Sequence, residues 1–97
     1  MIHKIYSIHD SKADAYLPPF FLHADGMATR SFQDCITDPE HAFGKHPQDY
    51  TLFNIGTFND KTSELEYFSP IKNLGNGVEY ITEHLTAING DKTNANA

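Results

Sequence analysis

Hydrophobic and polar residues alternate along two stretches of the chain, residues 2–9 (IHKIYSIH) and 50–58 (YTLFNIGTF). Alternation with a period of two is typical of β-strands, and both stretches are rich in β-branched and aromatic residues. In the second stretch Leu52 falls on one face, and Phe53 and Ile55 fall on the opposite face. We therefore predict two strands, and we expect both faces of the second strand to need cover.

A pair of prolines, Pro18 and Pro19, follows the polar turn DSKADAY and precedes the apolar residues FFLHA, residues 20–24. Proline fixes φ and lacks a backbone N–H, so the pair can only begin an extended segment or lie at a sheet edge. We predict that FFLHA forms a strand that starts rigidly after the prolines.

The segment ELEYFS, residues 64–69, follows a second polar turn, NDKTS. It is predicted to pair with residues 50–58 as a β-hairpin, with Leu65 and Tyr67 on one face. Pro70 is expected to end this strand, because proline cannot donate a hydrogen bond to the ladder.

Apolar residues at spacings of three and four predict a first helix over residues 26–37, with Asp25 as its N-cap. Pro39 follows the helix, and Asp38 before it is pushed out of the helical region. Residues 40–49 are predicted to be an exposed loop. The apolar stripe of the helix consists of Ala28, Phe32, Cys35 and Ile36.

A second helix is predicted after the sequence Gly75-Asn76-Gly77, with Asn76 and Glu79 as a capping box and Gly90 as its end. The glycine-flanked turn could also present backbone N–H groups to an anion, although a plain N-cap is the simpler interpretation. The apolar stripe is narrow, which suits a groove or a second copy of the chain. We therefore predict an oligomer interface formed by Val78, Ile81, Leu85 and Ile88.

The predicted order of elements is β-β-α-β-β-α, which favours an α+β fold with a small, mostly antiparallel sheet and helices packed on one face. Residues 1–90 are predicted to form one domain, and the polar residues 91–97 a disordered tail. Two short helices cannot cover both faces of such an aromatic sheet. We therefore expect the other face to mediate dimerisation or to bind an aromatic ligand.

Thirteen Asp and Glu residues oppose seven Lys and Arg residues, which gives a net charge of −6. The protein as a whole therefore repels phosphate and anionic lipid, and any contact with nucleic acid must be local. No apolar run approaches the ~20 residues of a membrane helix, so no membrane association is expected. A single cysteine, Cys35, cannot form an intrachain disulfide, which fits a reducing cytoplasm.

Candidate chemistry is sparse. His41 and His46, with Glu40 and Asp49, have no recognised metal-ligand spacing, so a solvated loop is the preferred interpretation and neither a metal nor a cofactor is expected. Cys35 lies on an apolar helical stripe, where a thiol behaves as a small hydrophobe. The carboxylates are scattered across turns, and we predict no enzyme activity.

Binding of single-stranded nucleic acid is the more specific hypothesis, because aromatic side chains on strands can stack with bases while basic side chains contact phosphates. The stacking candidates are Tyr6, Phe21, Tyr50 and Phe53, and the phosphate candidates are Lys4, Arg30, Lys45 and Lys72. The alternative is that these aromatic residues form the core, since the chain has one Arg and no basic cluster.

Three segments resemble the small nonstructural protein of gokushovirus-type microviruses, which are phages with circular single-stranded DNA. They are IYSIHDSKADAYLPPFF, ADGMATRSFQDCITDP and GKHPQDYTLFNIGTFND, and the resemblance spans about residues 4–70. The resemblance implies a non-capsid, non-enzymatic role in genome replication or its switch to packaging, in the host bacterial cytoplasm. Single-stranded DNA binding is the activity that it implies.

The positions matched in this resemblance are Pro18, Pro19, Phe20, Arg30, Phe32, His46, Pro47, Asp49, Tyr50, Leu52, Gly56 and Phe58. Arg30 lies off the apolar stripe of its helix, which makes it the best phosphate candidate, although an ion pair with Asp34 is an equal alternative. Lys45 and His46 are the next candidates for a phosphate contact. The predicted DNA-binding residues are therefore Lys4, Tyr6, Arg30, Lys45, His46, Tyr50, Phe53 and Lys72.

The predicted partners are the single-stranded phage genome, a phage or host replication protein, and further copies of the chain in a homodimer or higher homo-oligomer. The rival hypothesis is a non-catalytic oligomeric adaptor that binds a replication or capsid protein and has no DNA affinity of its own.

Overall fold

The computed structural model of the protein describes residues 1–81. Its strands are β1 (Ile2–Asp10), β2 (Ala15–Tyr16), β3 (Phe20–Leu22), β4 (Tyr50–Asn59) and β5 (Leu65–Asn76). Its helices are α1 (Asp25–Ile36), α2 (Ala42–Lys45), a 3-10 helix (Pro47–Asp49) and the helical residues 77–81, which we name α3. The predicted residues Leu85 and Ile88 and the tail 91–97 lie outside the described residues.

The five strands form one antiparallel sheet in the order β2-β1-β4-β5, and β3 pairs with the same edge of β1 as β2 does. The predicted α+β fold with an antiparallel sheet is confirmed. In the ladder between β1 and β4, Ile5 lies opposite Gly56 and Tyr6 opposite Asn54, so Ile55 is an extra residue in β4. This β-bulge lies at the centre of the sheet.

The helices pack on one side of the sheet, which we call the covered face. There Phe32 of α1 meets Tyr80 of α3 edge to face, with ring centroids 5.2 Å apart. The Tyr80 hydroxyl donates a hydrogen bond of 2.7 Å to the Leu74 carbonyl. The buried core of this face consists of Tyr6, Ile8, Ala28, Phe32, Ile36, Leu52 and Tyr80.

The start of α1 differs from the prediction. Ala24, not Asp25, is the N-cap, and it makes no side-chain capping bond. Asp25 is the first helical residue, and its carboxylate accepts hydrogen bonds from the Tyr6 hydroxyl at 2.7 Å and from Lys4 Nζ at 3.5 Å. The carboxylate therefore joins the helix to β1, because a buried phenol needs an acceptor more than an exposed helix end needs a cap.

The predicted loop at residues 40–49 contains α2 and the 3-10 helix. His41 is the N-cap of α2, and its Nδ1 accepts a hydrogen bond of 3.0 Å from the Phe43 N–H. Phe43 in turn packs on Phe32 and Tyr50. Two short helices therefore form where glycine and proline suggested irregular structure.

The prediction that Pro70 ends a strand is wrong, since β5 continues to Asn76. Between the pairs Gly56 with Tyr67 and Asn54 with Lys72, residues 68–71 interrupt the ladder with β4. Proline is tolerated there because this interrupted stretch of an edge strand needs no N–H from it.

The capping box of α3 is present as predicted. The Val78 N–H donates to Asn76 Oδ1 at 3.0 Å, and the Asn76 N–H donates to the Glu79 carboxylate at 2.6 Å. Val78 is 46% exposed, whereas Ile81 packs against the core. Of the two described members of the predicted oligomer interface, Ile81 is therefore partly buried, and the interface itself stays a prediction.

Candidate functional site

The side of the sheet opposite α1 carries a continuous apolar surface, which we call the open face. No helix in residues 1–81 covers it. Its most exposed large side chains are Tyr67 (72%), Leu65 (68%), Tyr16 (53%) and Phe21 (49%). The side chains of the open face are His3, Ile5, Ser7, His9, Tyr16, Phe21, Phe53, Ile55, Phe58, Leu65 and Tyr67.

Strand pairing explains why these side chains share one face. Residues that lie directly opposite each other in an antiparallel ladder point to the same side. Phe58 is paired with both His3 and Leu65, and one row further along Gly56 is paired with Ile5 and Tyr67. The rows therefore run across β1, β4 and β5 without a break.

Two groups of aromatic rings stand on the open face. In the first, Tyr16 lies 4.7 Å from the His9 ring and 5.9 Å from the Phe53 ring, measured between centroids. In the second, at the other end of β1, His3 lies 4.8 Å from His23 and 6.2 Å from Phe58. Phe21 meets Phe58 edge to face in this second group, at 5.9 Å.

Shallow grooves lie beside these rings. One of about 360 Å³ is bounded by Tyr16, the two prolines and Tyr67. Another of about 400 Å³ is lined by His3, Phe21, Phe58 and Leu65. A third of about 260 Å³ lies over Ile5 and Ile55, between the first two sets of residues.

The proline pair forms one wall of the open face. Leu17, just before the prolines, donates its N–H to the Ile8 carbonyl at 2.8 Å. Its own carbonyl accepts a hydrogen bond of 2.9 Å from the Ser7 hydroxyl. Pro18 and Pro19 then connect β2 to β3, which pair with different parts of the same β1 edge. A strand begins directly after the prolines, as predicted, and it is only the three residues Phe20–Leu22 long.

Histidine and aspartate side chains meet at both ends of the open face. His3 Nε2 lies 3.0 Å from Asp60 Oδ2, and His9 Nε2 lies 3.4 Å from Asp14 Oδ1. The α-amino group of Met1 binds Asp60 at 2.7 Å. Hydrogen bonds from this amine and from His3 lower the pKa of the Asp60 carboxyl. No Lys or Arg of the described chain lines the three grooves.

Tyr6 is not a stacking residue, and its prediction is corrected. It lies on the covered face with 0% of its surface exposed, stacked on Phe20 and bonded to Asp25. Burial, and after it the Asp25 carboxylate, raise the pKa of its hydroxyl. Lys4 lies on the same face and is paired with Asp25.

Most other predicted contacts lie away from the open face. Tyr50 packs on Phe43, with ring centroids 4.3 Å apart, and Lys72 lies 4.8 Å above the Phe68 ring. Arg30 is exposed on α1, and Lys45 and His46 are exposed at the end of α2. Of the eight predicted DNA-binding residues, Phe53 alone belongs to the open face.

The predicted alternative for Arg30 is not seen, since its guanidinium makes no ion pair with Asp34 in the structure, and the phosphate contact of Arg30 stays a prediction. Both residues are exposed on α1. Arg30 instead borders a shallow depression of about 340 Å³ with Ala24, Gly26 and Met27. It is accessible, but it stands on the helical side of the molecule.

Several residues of the open face could be grouped from the sequence, although they were not predicted to bind DNA. The alternation in ELEYFS put Leu65 and Tyr67 together, and the alternation in IHKIYSIH put His3 and His9 on the side opposite Tyr6. That side is the open one. The signal was therefore present in the periodicity of the strands.

Other candidate chemistry gains no support. Among residues 1–81, no group of three or more His, Cys, Asp and Glu side chains could hold a metal ion. Cys35 is partly buried, and burial, followed by the carboxylates of Asp34 and Asp38, raises the pKa of its thiol. Such a thiol stays protonated and is a poor nucleophile.

Within the described part of the chain, no helix has the length and apolar character needed to cross a membrane.

The chain matches a protein family. No curated protein and no solved structure matches the chain. Residues 3–80 match the sequence model of a family described as Phage ORF5 protein. The match covers well over half of the 97 residues and includes all residues of the open face. The chain is therefore a phage protein and belongs to the Phage ORF5 protein family.

Proposed function

We propose that this protein is a non-enzymatic accessory protein of a gokushovirus-type microvirus that binds single-stranded DNA on the open face. It acts in the host bacterial cytoplasm, during replication of the phage genome or its switch to packaging. The observation that carries this proposal is the row of exposed aromatic rings on a sheet face that no described helix covers.

Base stacking supplies most of the proposed affinity. Tyr16, Phe21 and Tyr67 are each about half exposed or more, so their rings offer a face to a base. Stacking on an aromatic side chain contributes about 1–3 kcal/mol per base and tolerates any sequence, because every base has a π-face. Each of these side chains has only two torsion angles to order, so little side-chain entropy is lost on binding.

Phosphate contacts are assigned to the two ends of the open face. Lys12 lies in the turn between β1 and β2, beside the ring group of Tyr16, and Lys61 lies in the turn between β4 and β5, beside that of Phe58. Both are exposed. Arg30, Lys45, His46 and Lys72 remain predictions for a DNA strand that continues beyond this face.

The charge of −6 limits the electrostatic contribution. Each phosphate contact on a single strand changes the slope of log K against log salt by about −0.7. With two lysines at the ends of the open face, we expect a shallow slope of about −1.4. Affinity should therefore depend more on the aromatic rings than on salt.

Fluorescence anisotropy with a labelled oligonucleotide at two salt concentrations tests the proposal. Tyr67→Ala should weaken binding about 5- to 150-fold, which corresponds to the loss of one stacked base. Met27→Ala is the matched control, because Met27 is 46% exposed on α1, away from the open face. Arg30→Ala shows whether the strand reaches the helical side. Absence of binding at low salt would refute the proposal.

The second candidate is the oligomeric adaptor. It is favoured by the apolar lining of the grooves and by the exposure of Leu65 and Tyr67, which would suit another polypeptide as well as a base. Light scattering decides whether the protein is a homodimer or a higher homo-oligomer. A mass that falls to that of one chain in Leu65→Ser, without any DNA binding by the parent protein, would support the adaptor.

A further inference from the structure

Three of the six histidines, His3, His9 and His23, stand beside aromatic rings of the proposed DNA-binding surface. They are divided between its two ring groups: His9 packs on Tyr16, and His3 packs on His23 and Phe58. The grooves have no Lys or Arg in their described lining. Histidine is therefore the side chain of this surface that can gain positive charge between about pH 5 and 8.

The neighbours of these histidines are largely acidic. His3 faces Asp60, which also binds the Met1 amine, and His3 faces the His23 ring on its other side. His9 faces Asp14 at 3.4 Å across the turn after β1.

Glu66 lines the groove over Ile5 and Ile55, and the other charged groups near this surface lie at its two ends. Asp10 follows His9 in β1 and accepts hydrogen bonds from the N–H groups of Lys12 and Ala13. Lys61 follows Asp60 in the turn before β5. At each end a carboxylate therefore lies close to the lysine that is proposed to contact a phosphate, and it weakens that contact at neutral pH.

We propose that protonation of His3, His9 and His23 controls the DNA affinity of the open face, so that single-stranded DNA binds more tightly at pH 6 than at pH 8. This inference rests on the proposed function. Protonated His3 and His9 neutralise Asp60 and Asp14, which otherwise repel the DNA backbone. Protonated His23 adds a charge that lies next to no carboxylate in the described ion pairs.

The contact between His3 and His23 links DNA binding to protonation in both directions. Two imidazolium rings with centroids 4.8 Å apart repel each other, and a phosphate bound beside them reduces this repulsion. DNA binding should therefore favour protonation of both rings. By linkage, a ligand that binds more tightly to the protonated protein causes proton uptake when it binds.

The first experiment compares oligonucleotide affinity by fluorescence anisotropy at pH 6 and pH 8 at constant ionic strength. We expect roughly tenfold tighter binding at pH 6 and a salt slope steeper by about 0.7 to 2, because His23 adds one phosphate interaction and the neutralised Asp60 and Asp14 no longer repel the DNA backbone. The triple variant His3→Gln, His9→Gln, His23→Gln should bind equally at both pH values. His41→Asn is the matched control, because His41 lies at the N-cap of α2, outside both ring groups, and Asn can keep this cap. It should keep the pH ratio of the parent protein.

The second experiment measures proton uptake by isothermal titration calorimetry in buffers of different ionisation enthalpy. The parent protein should take up protons when it binds the oligonucleotide at pH 7, and His23→Gln should take up fewer. His23 is exposed just after β3, so its substitution spares the fold even if the triple variant does not fold.

The outcomes separate the two proposals. No binding by the parent protein at either pH refutes DNA binding itself. Equal affinity at both pH values, a pH ratio that survives the triple substitution, or proton uptake unchanged by His23→Gln overturns the role of the histidines while DNA binding stands.

Discussion

Tyrosine side chains are buried on one face of the sheet and exposed on the other. On the covered face, Tyr6 and Tyr80 are buried and each hydroxyl donates a hydrogen bond, to Asp25 and to the Leu74 carbonyl. On the open face, Tyr67 has 72% of its surface exposed. The difference between Tyr6 and Tyr67 teaches that a tyrosine on a strand is buried or exposed according to which face its position selects, because neighbouring positions point to opposite sides.

The largest expected difference between the faces is in stability. Tyr6→Ala should lower the free energy of unfolding by about 3–5 kcal/mol, because it removes a fully buried ring and its hydrogen bond. Tyr67→Ala should change this free energy by at most about 0.5 kcal/mol. Urea denaturation followed by circular dichroism measures both. Similar losses in the two variants would mean that the open face is covered in solution.

A smaller effect is expected at the contact that fixes α1 on the covered face. Asp25→Ala leaves the buried Tyr6 hydroxyl without its acceptor and should cost about 1–3 kcal/mol. Asp25→Asn keeps an acceptor oxygen and should recover most of that loss. The same denaturation measurement compares them, and equal losses in Ala and Asn would show that the charge of Asp25, rather than its hydrogen bond, holds the helix.

The smallest expected effect is seen in alkaline solution. The pKa of the Tyr6 hydroxyl is higher in the folded protein than its ordinary value, so stability is fully present below about pH 10 and falls as the pH rises above it. The fall is at most about 1.4 kcal/mol per pH unit for one group. Thermal unfolding between pH 8 and 11 measures it. Tyr6→Phe should show a shallower decline, and an identical decline would assign the effect to other groups.

Much of the fold followed from local pattern. Alternation placed β1 and β4 within one residue of their observed ends, and spacings of three and four did the same for α1. The capping box at Asn76 was also correct. Each of these signals depends on residues close together in the chain, which is why the sequence was sufficient for them.

The site was harder to predict because it depends on contacts between distant segments. Alternation separates Tyr6 from His3 and His9, but it does not say which side α1 will cover. The helix covers the side of Tyr6, where Asp25 meets the hydroxyl from 19 positions away. Tyr80 was missed for a related reason, since its burial depends on Phe32 of α1 rather than on the stripe of its own helix.

The stretch of β5 around Pro70 has a consequence for solubility. Within residues 1–81, β5 is the outer strand on one side of the sheet, and an exposed outer strand is a template on which other chains can add and grow into fibres. Here residues 68–71 leave the regular ladder, and Pro70 has no N–H to offer. An incoming strand would therefore meet a gap halfway along β5, which disfavours edge-to-edge pairing between the sheets of two copies.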